Sequence, residues 1–315
     1  MVRIATWNVE NLFLPGGDGP KTQTEYDTKL DGLAHTILGA GVDAVAVQEV
    51  GQPEPFDDLV SRLGVGWSGV LSIFPDVRRG IRVGVISKLP IARVADDADL
   101  AAGLPPLHVD DTGTVATRMG RGALTVELTT PAGAALTLTT IHLKSKLASY
   151  PNGRFQPRNE AERARVAAYA LFQRAAEAAT VRGLMDRLLD GHGQTRPAIL
   201  AGDCNDEPKA ATTQMLLGPS GSEFGSRGAD SPDKGDAWRL FNPFPLIPAD
   251  RQYSRIFEGR RELIDQIMVS RALLKAVAAE DTVSSAPLPS ITTTPTPIAT
   301  KPFSDHAMVV ATLDV

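Results

Sequence analysis

Ser304-Asp305-His306-Ala307-Met308-Val309-Val310-Ala311-Thr312-Leu313 sets an acid–imidazole pair directly ahead of an apolar, β-rich run that predicts a final strand. Alone, such a pair is more often an ordinary surface loop than a functional site. Four more polar clusters stand in the same relation to a predicted strand: Asn8 in TWNVEN (6–11), Glu49 in VQEV (47–50), His142 in IHLKS (141–145), and Asp203 with Asn205 in AGDCND (201–206). Together they point to one metal-dependent, phosphoester-cleaving centre assembled from both ends of the chain.

At the other end, Val2–Trp7 predicts a first strand that stops at Asn8. Lys29–Gly39 predicts a helix, because Leu30, Leu33, Ala34, Ile37 and Leu38 recur at helical spacing, and Gly39 or Gly41 ends it. Val42–Val47 is apolar enough for a strand buried on both faces and delivers Glu49. Strand, helix, strand puts Asn8 and Glu49 at one edge of a sheet, where ligands collect. Alone, Asn8 also reads as a turn former and Glu49 as a solvated residue, although a carboxylate behind so apolar a run needs a cation or strong donors.

Further strands are predicted at Gly80–Lys88, Pro90–Val94, Gly122–Leu128, Leu136–Leu143, Ala198–Ala201 and Glu262–Ser270, with a hairpin turn at Thr130–Gly133. Asp265 interrupts the last of these and requires a partner there. Ala161–Leu189 predicts the longest helix, with Gly183 a point of kinking or division. Asp96–Pro106, Ser220–Asp236 and Ser284–Phe303 read as loops, the last crossing the active-site face. No repeat or composition break marks a boundary, so a single domain over 1–315 is expected.

The net charge of -5 is unlike that of a dedicated nonspecific DNA binder, so phosphate affinity has to come from a local basic patch. One cysteine, Cys204, excludes a disulfide-stapled scaffold. No basic-then-apolar leader and no long apolar run is present, so a cytoplasmic protein without stable membrane association is expected, or a secreted one if a leader has been removed. The sequence does not set the oligomeric state.

Cleaving a phosphoester near neutral pH requires a cation on the phosphoryl oxygens, carboxylates to hold it, a base for water and a positive donor for the transition state. Glu49, Asp203 and Asp305 supply carboxylates, and Asn8 and Asn205 supply amides. These hard oxygen donors favour Mg²⁺, Mn²⁺ or Ca²⁺. His142 and His306 supply imidazoles suited to proton transfer or charge stabilisation. Arg82, Arg121 and Lys144 read either as phosphate clamps or as solvated charges at a sheet edge.

The ordered set TWNVEN, VQEV, IHLKS, AGDCND, LIDQIMVS (263–270) and SDH (304–306) resembles the endonuclease/exonuclease/phosphatase superfamily, which includes DNase I-like nucleases and inositol polyphosphate 5-phosphatases. The resemblance covers nearly the whole chain. It implies an α/β four-layer sandwich, two mixed β-sheets packed face to face with flanking helices, and a site at one sheet end. It further implies metal-site roles for Asn8 and Glu49, with Asp305 as an additional metal- or water-binding carboxylate. Asp203 corresponds to the residue that positions or activates water, and Asn205 to a phosphate and transition-state contact. His306 corresponds to the histidine on the scissile phosphate, oriented by Asp265, and His142 to the proposed general acid of the DNase I-like branch. Many relatives carry Asp-His or Asp-Tyr where this chain has Asp265-Gln266. Strand alternation turns Gln266 away from Asp265, so little chemical consequence is expected.

The expected activity is a Mg²⁺- or Mn²⁺-dependent phosphodiesterase acting on nucleic acid. The alternatives are an enzyme for a small-molecule or lipid-head-group phosphoester, and a catalytically silent binding protein on the same fold.

Overall fold

The computed structural model describes residues 1–16, 18–148, 150, 154, 156–292 and 303–315. Its strands in chain order are β1 (Val2–Leu12), β2 (Ala44–Val50), β3 (Ser68–Leu71), β4 (Arg82–Ser87), β5 (Ile91–Asp99), β6 (Leu107–His108), β7 (Val115–Ala116), β8 (Arg118–Thr129), β9 (Ala135–His142), β10 (Ala198–Asp203), β11 (Leu240–Phe241), β12 (Arg255–Phe257), β13 (Arg260–Glu262), β14 (Asp265–Ser270), β15 (Val277–Val283), β16 (Ser290–Ile291) and β17 (Met308–Leu313). Two six-stranded mixed sheets carry the fold, ordered β15-β17-β1-β2-β4-β3 and β11-β14-β10-β9-β8-β5.

Strand alternation explains why the sheets stack. In the first sheet, Ile4, Ala44, Ala46, Val83, Val309 and Ala311 face inward. They meet Leu124, Val126, Leu138, Ile199, Ala201 and Ile267 of the second sheet in one apolar core. The opposite parity of the first sheet, with Trp7, Val9, Val45 and Val47, packs on helices α1 (Gln23–Ala40) and α2 (Pro53–Leu63). Ile141, Leu200 and Met268 of the second sheet pack outward on α3 (Glu160–Leu189) and α4 (Ala211–Leu217). The layers are helix, sheet, sheet, helix, as the resemblance implies.

Several boundaries differ from the sequence reading. Helix α1 starts six residues early, because Thr22 and Glu25 form a capping box. It ends at Gly41, whose φ of 62° suits glycine. Helix α3 runs unbroken through Gly183, where a side chain would meet open space. The acidic stretch Asp96–Asp99, read as loop, extends edge strand β5 along β8. Asp96 is tolerated there because Arg93, the Ser72 hydroxyl and the Ile73 amide hold its carboxylate. The 220–236 segment is not a purely solvated loop either, since Asp236 is fully buried against Arg239 at 2.5 Å. Of the expected loop at 284–303, residues 293–302 lie outside the described residues. Among the described residues, no helix is long and apolar enough to cross a membrane.

Candidate active site

The inward parity that builds the core also builds the site. In β1 the inward series Val2, Ile4, Thr6 ends at Asn8. In β9, β10 and β14 the corresponding end residues are His142, Asp203 and Asp265. Apolar inward residues thus give way to polar ones at a single end of the sandwich. Register fixes the neighbours: Asp203 lies between His142 on parallel β9 and Asp265 on antiparallel β14. Gly202 allows this close approach. At φ 156° a Cβ there would stand 2.0 Å from the Ile141 carbonyl oxygen, so only glycine fits.

The strand ends depart from regular backbone. Glu10, Asn11, Glu49 and Asn205 all adopt positive φ, between 50° and 63°. Such strained non-glycine residues gather at sites whose surroundings over-determine them. Strand β1 therefore does not stop at Asn8 but continues irregularly to Leu12, with a register break against β2. At Glu49 the same backbone state breaks alternation and turns the carboxylate toward the cleft.

The side chains form one hydrogen-bonded set. Asn8 Nδ2 donates to Asp203 Oδ2 at 3.1 Å and to Glu49 Oε1 at 3.3 Å. The Asn11 amide donates to Glu49 Oε2 at 3.2 Å, and Arg79 stands 3.6 Å from that oxygen. The Asn205 amide donates to Asp203 Oδ1 at 2.8 Å, and its side chain donates to the Leu143 carbonyl at 2.9 Å. His142 Nε2 lies 3.4 Å from Asp203 Oδ2. His306 Nδ1 pairs with Asp265 Oδ2 at 2.6 Å. Ser304 fixes the incoming segment by donating to the Asn8 carbonyl at 2.6 Å while accepting from the His306 amide at 3.0 Å.

These contacts assign opposite charge states to the two histidines. Burial works against the His306 imidazolium, but Asp265, Asp305 and Asp203 outweigh it and hold its pKa up at about 10. Burial, with Arg121 and His306, keeps His142 well below its ordinary value and neutral. Burial and Asp265 push Asp203 up to about 6. Burial and Asp305 push Glu10 up to about 7. Burial also opposes ionisation of Glu49, but Arg79, Arg121 and His306 bring it below the usual carboxylate range.

A cleft of about 580 Å³ opens over this set. Asn8, Glu49, Asp305, Asp203, Asn205, His142, His306 and Arg121 line it, and Asp265 sits behind His306, fully buried. Arg82 and Lys144 are not among the lining residues. The Arg82 guanidinium bonds the Gly51 and Gly80 carbonyls, tying the ends of β2 and β4. The Lys144 ammonium folds back onto the Ser145 and Leu147 carbonyls at 3.1 and 3.2 Å. Arg79 and Arg255 line the cleft instead, as does Glu10, a carboxylate at a strand end inside the TWNVEN stretch. Gln266 turns outward as alternation requires, donating to the Asp206 carbonyl at 2.6 Å.

The donor set suits a hard divalent cation. Glu10, Glu49 and Asp305 line one cleft, and burial raises the Glu10 and Asp305 pKa values, the signature of carboxylates short of positive charge. By distance alone, Asp203, Asp265 and His306 also offer ligand-type atoms within 4.8 Å of one another. The Glu49 group is the better cage, because an imidazolium has no lone pair to give a metal and Nδ1 of His306 is committed to Asp265.

The sequence model described as the Endonuclease/Exonuclease/phosphatase family matches residues 5–306. Among solved structures, the human Nocturnin catalytic domain with bound sulfate is similar at 21% identity, covering 98% of this chain and 93% of that one with a TM-score of 0.52. An endonuclease/exonuclease/phosphatase from Bacteroides vulgatus is similar at 16% identity over 100% and 98%, with a TM-score of 0.58. A 3'-5' exonuclease from Neisseria meningitidis is similar at 16% identity over 100% of both chains, with a TM-score of 0.56. These likenesses show a shared fold. No curated protein matches significantly.

Proposed function

Because the chain belongs to the endonuclease/exonuclease/phosphatase family, whose members are metal-dependent phosphoric ester hydrolases, we propose that it hydrolyses phosphodiester bonds in nucleic acid. The observation that carries this reading is the meeting, in one open cleft, of a cationic His306, an Asp203 carboxylate whose pKa is raised to about 6, and the Glu49 carboxylate set.

Asp203, held by Asn8 and Asn205, takes a proton from the attacking water. As the water oxygen bonds to phosphorus, His306, fixed by Asp265, stabilises the charge that gathers on the phosphoryl oxygens. The bond to the leaving oxygen breaks, and that oxygen needs a proton. His142 is neutral at rest, so a general-acid role requires it to be charged within the turnover. Asp203, 3.4 Å away, is placed to pass on the proton it has taken. Glu49, Asn8 and Asp305 would hold Mg²⁺ or Mn²⁺, which when bound neutralises the phosphoryl oxygens.

Nucleic acid is favoured by the rim. Arg79 and Arg121 stand among the cleft lining, as does Arg255 at the start of the β12–β13 hairpin. That hairpin is bridged to His306 through Arg255 and carries Tyr253 and Phe257 under Arg261 and Arg260, at 4.4 and 5.9 Å. Arginine interleaved with aromatic rings is the composition that binds a strand by phosphate contact and base stacking. Arg79 and Arg121 thus bring positive charge into the cleft of an acidic chain, while Arg255 is paired with Glu262 at 2.8 Å. The test is nicking of supercoiled plasmid with Mg²⁺ or Mn²⁺, with EDTA, and with Glu49→Ala and His306→Ala. Metal-dependent nicking that disappears in both folded variants supports the reading. Turnover of soluble phosphoesters without DNA cleavage overturns it.

A further inference from the structure

Glu177 of α3 is fully buried, and its carboxylate joins two strand ends of the second sheet. Its Oε1 accepts from the Gly120 amide at 2.9 Å and from Gln173 Nε2 at 3.2 Å, and its Oε2 accepts from the Lys144 amide at 2.6 Å. Burial raises its pKa, and the Gly120 and Lys144 amides, with the Arg121 charge, oppose that rise.

Register explains the choice of those two amides. The β8–β9 ladder runs from Thr129–Ala135 to Leu124–Thr140 and stops. Continued in the same register, it would set Gly120 opposite Lys144. Instead the strands part. Strand β8 stays with β5 as far as Arg118, and β9 stays with β10 as far as the His142–Asp203 pair. Glu177 stands in the fork and takes an amide from each arm, so neither is left unpaired in the interior. Arg121 crosses the same fork, its guanidinium donating to the Leu143 carbonyl at 3.4 Å. One helical turn before Glu177, the buried Arg174 donates to the Lys144 carbonyl at 3.1 Å and to Asp206 at 3.2 Å. Helix α3 thus grips Lys144 by both its amide and its carbonyl. The arms of the fork carry Arg121 and His142, which line the cleft, whereas Glu177 does not.

Resting on the proposed site, we infer that Glu177 is a positioning residue, which holds the β8–β9 fork at the width that sets Arg121 on the phosphate and His142 on the leaving oxygen. It acts through those two side chains and touches no reacting atom. Glutamine in its place keeps the length but has one acceptor oxygen, and its NH₂ group would face one of the two amide donors.

The experiment measures kcat and KM of the full chain with Mn²⁺ on two diesters. One is a dinucleotide, whose leaving alkoxide needs a proton; the other is bis(p-nitrophenyl) phosphate, whose leaving p-nitrophenolate does not. Wild type, Glu177→Gln, His142→Ala, the double variant and Met185→Ala are compared. Met185 is buried in the core beneath α3, away from the cleft, and controls for lost stability. Glu177→Gln is expected to lower kcat on the dinucleotide by about 10²-fold, the cost of misplacing a reacting group by about 1 Å, and to leave kcat on the p-nitrophenyl ester nearly unchanged. Displacement of Arg121 is expected to raise KM on both. Added to His142→Ala, Glu177→Gln is expected to lower the dinucleotide kcat no further, and this comparison decides even where only the dinucleotide is turned over. Met185→Ala is expected to melt at a lower temperature and keep the wild-type ratio of the two kcat values. If Glu177→Gln does not fold, Gln173→Met, which removes one of the carboxylate's donors, is read in the same way. Equal kcat losses on the two esters, no loss on the dinucleotide, or an undiminished loss in the double variant overturns the inference and leaves the site intact. A wild type inactive on both esters, or His142→Ala as active as wild type on both, overturns the site reading itself and the inference with it.

Discussion

A single amide group, Asn8 Nδ2, donates to Asp203 Oδ2 in one sheet and to Glu49 Oε1 in the other, at 3.1 and 3.3 Å. The two carboxylates belong to different steps of the proposed chemistry, one to water and one to the cation, and Asn8 sets their separation.

Asn8→Ala should therefore lower kcat by about 10²–10³, the range seen when one preorganised donor is removed from a site. It should also destabilise the fold by about 1–3 kcal/mol, because two buried acceptors lose their donor. Steady-state kinetics and denaturant unfolding check the two effects separately. A variant with full kcat would show that the bridge does not position the site.

The His306–Asp265 pair sets a pH window. The His306 pKa is about 10 in the folded chain, against an ordinary value of about 6.5 when unfolded. Folding therefore strengthens proton binding there. The stability this contributes is complete below about pH 6.5 and is lost as pH rises toward 10. Activity should rise as Asp203 ionises near pH 6 and persist until His306 loses its proton. Asp265→Asn removes the paired charge, so the alkaline limb of the pH–rate profile should move toward neutrality. The falling limb of stability should move with it, and thermal melts at pH 7 and 9 measure that directly. An unmoved alkaline limb would detach it from His306.

Arg79 and Arg82 should separate cleanly. Arg79 lines the cleft beside Glu49, so Arg79→Ala should raise KM for a nucleic-acid substrate about tenfold, the effect of removing one phosphate-binding guanidinium. Arg82 caps carbonyls, so Arg82→Ala should lower the melting temperature and leave KM nearly unchanged. The reverse pattern would restore Arg82 as the phosphate clamp.

Phe257→Ala and the double substitution Arg260→Gln/Arg261→Gln should weaken binding of single-stranded DNA. The first should do so by about 1–3 kcal/mol if a base stacks there. The second should shallow the salt dependence of binding by about 0.7 for each phosphate no longer neutralised. Hydrolysis of a small phosphodiester should be unaffected in both, since none of these residues lines the cleft. Equal impairment on small and polymeric substrates would mean the hairpin supports the fold and not the substrate.

The layers and the strand-end residues were legible because both follow from local pattern. Alternation in β1, β9, β10 and β14 puts Asn8, His142, Asp203 and Asp265 on the core-facing parity, and parity can be counted along a sequence. The arginines were not legible. Arg82 lies on a strand and Arg79 in the turn before it, and the direction of a long, flexible side chain depends on the carbonyls that happen to be near. Glu10 was hidden by a left-handed backbone state that strand periodicity does not anticipate. The extension of β5 through Asp96–Asp99 was hidden because Arg93, Ser72 and Ile73 neutralise a charge that propensity assigns to a loop.

Strand β1 is flanked by β2, which follows it closely, and by β17, which is synthesised about three hundred residues later. Until β17 has been made, β1 is an open edge and His306 does not yet exist. The same late segment thus closes the β1 edge of the first sheet and brings the last side chain to the proposed site.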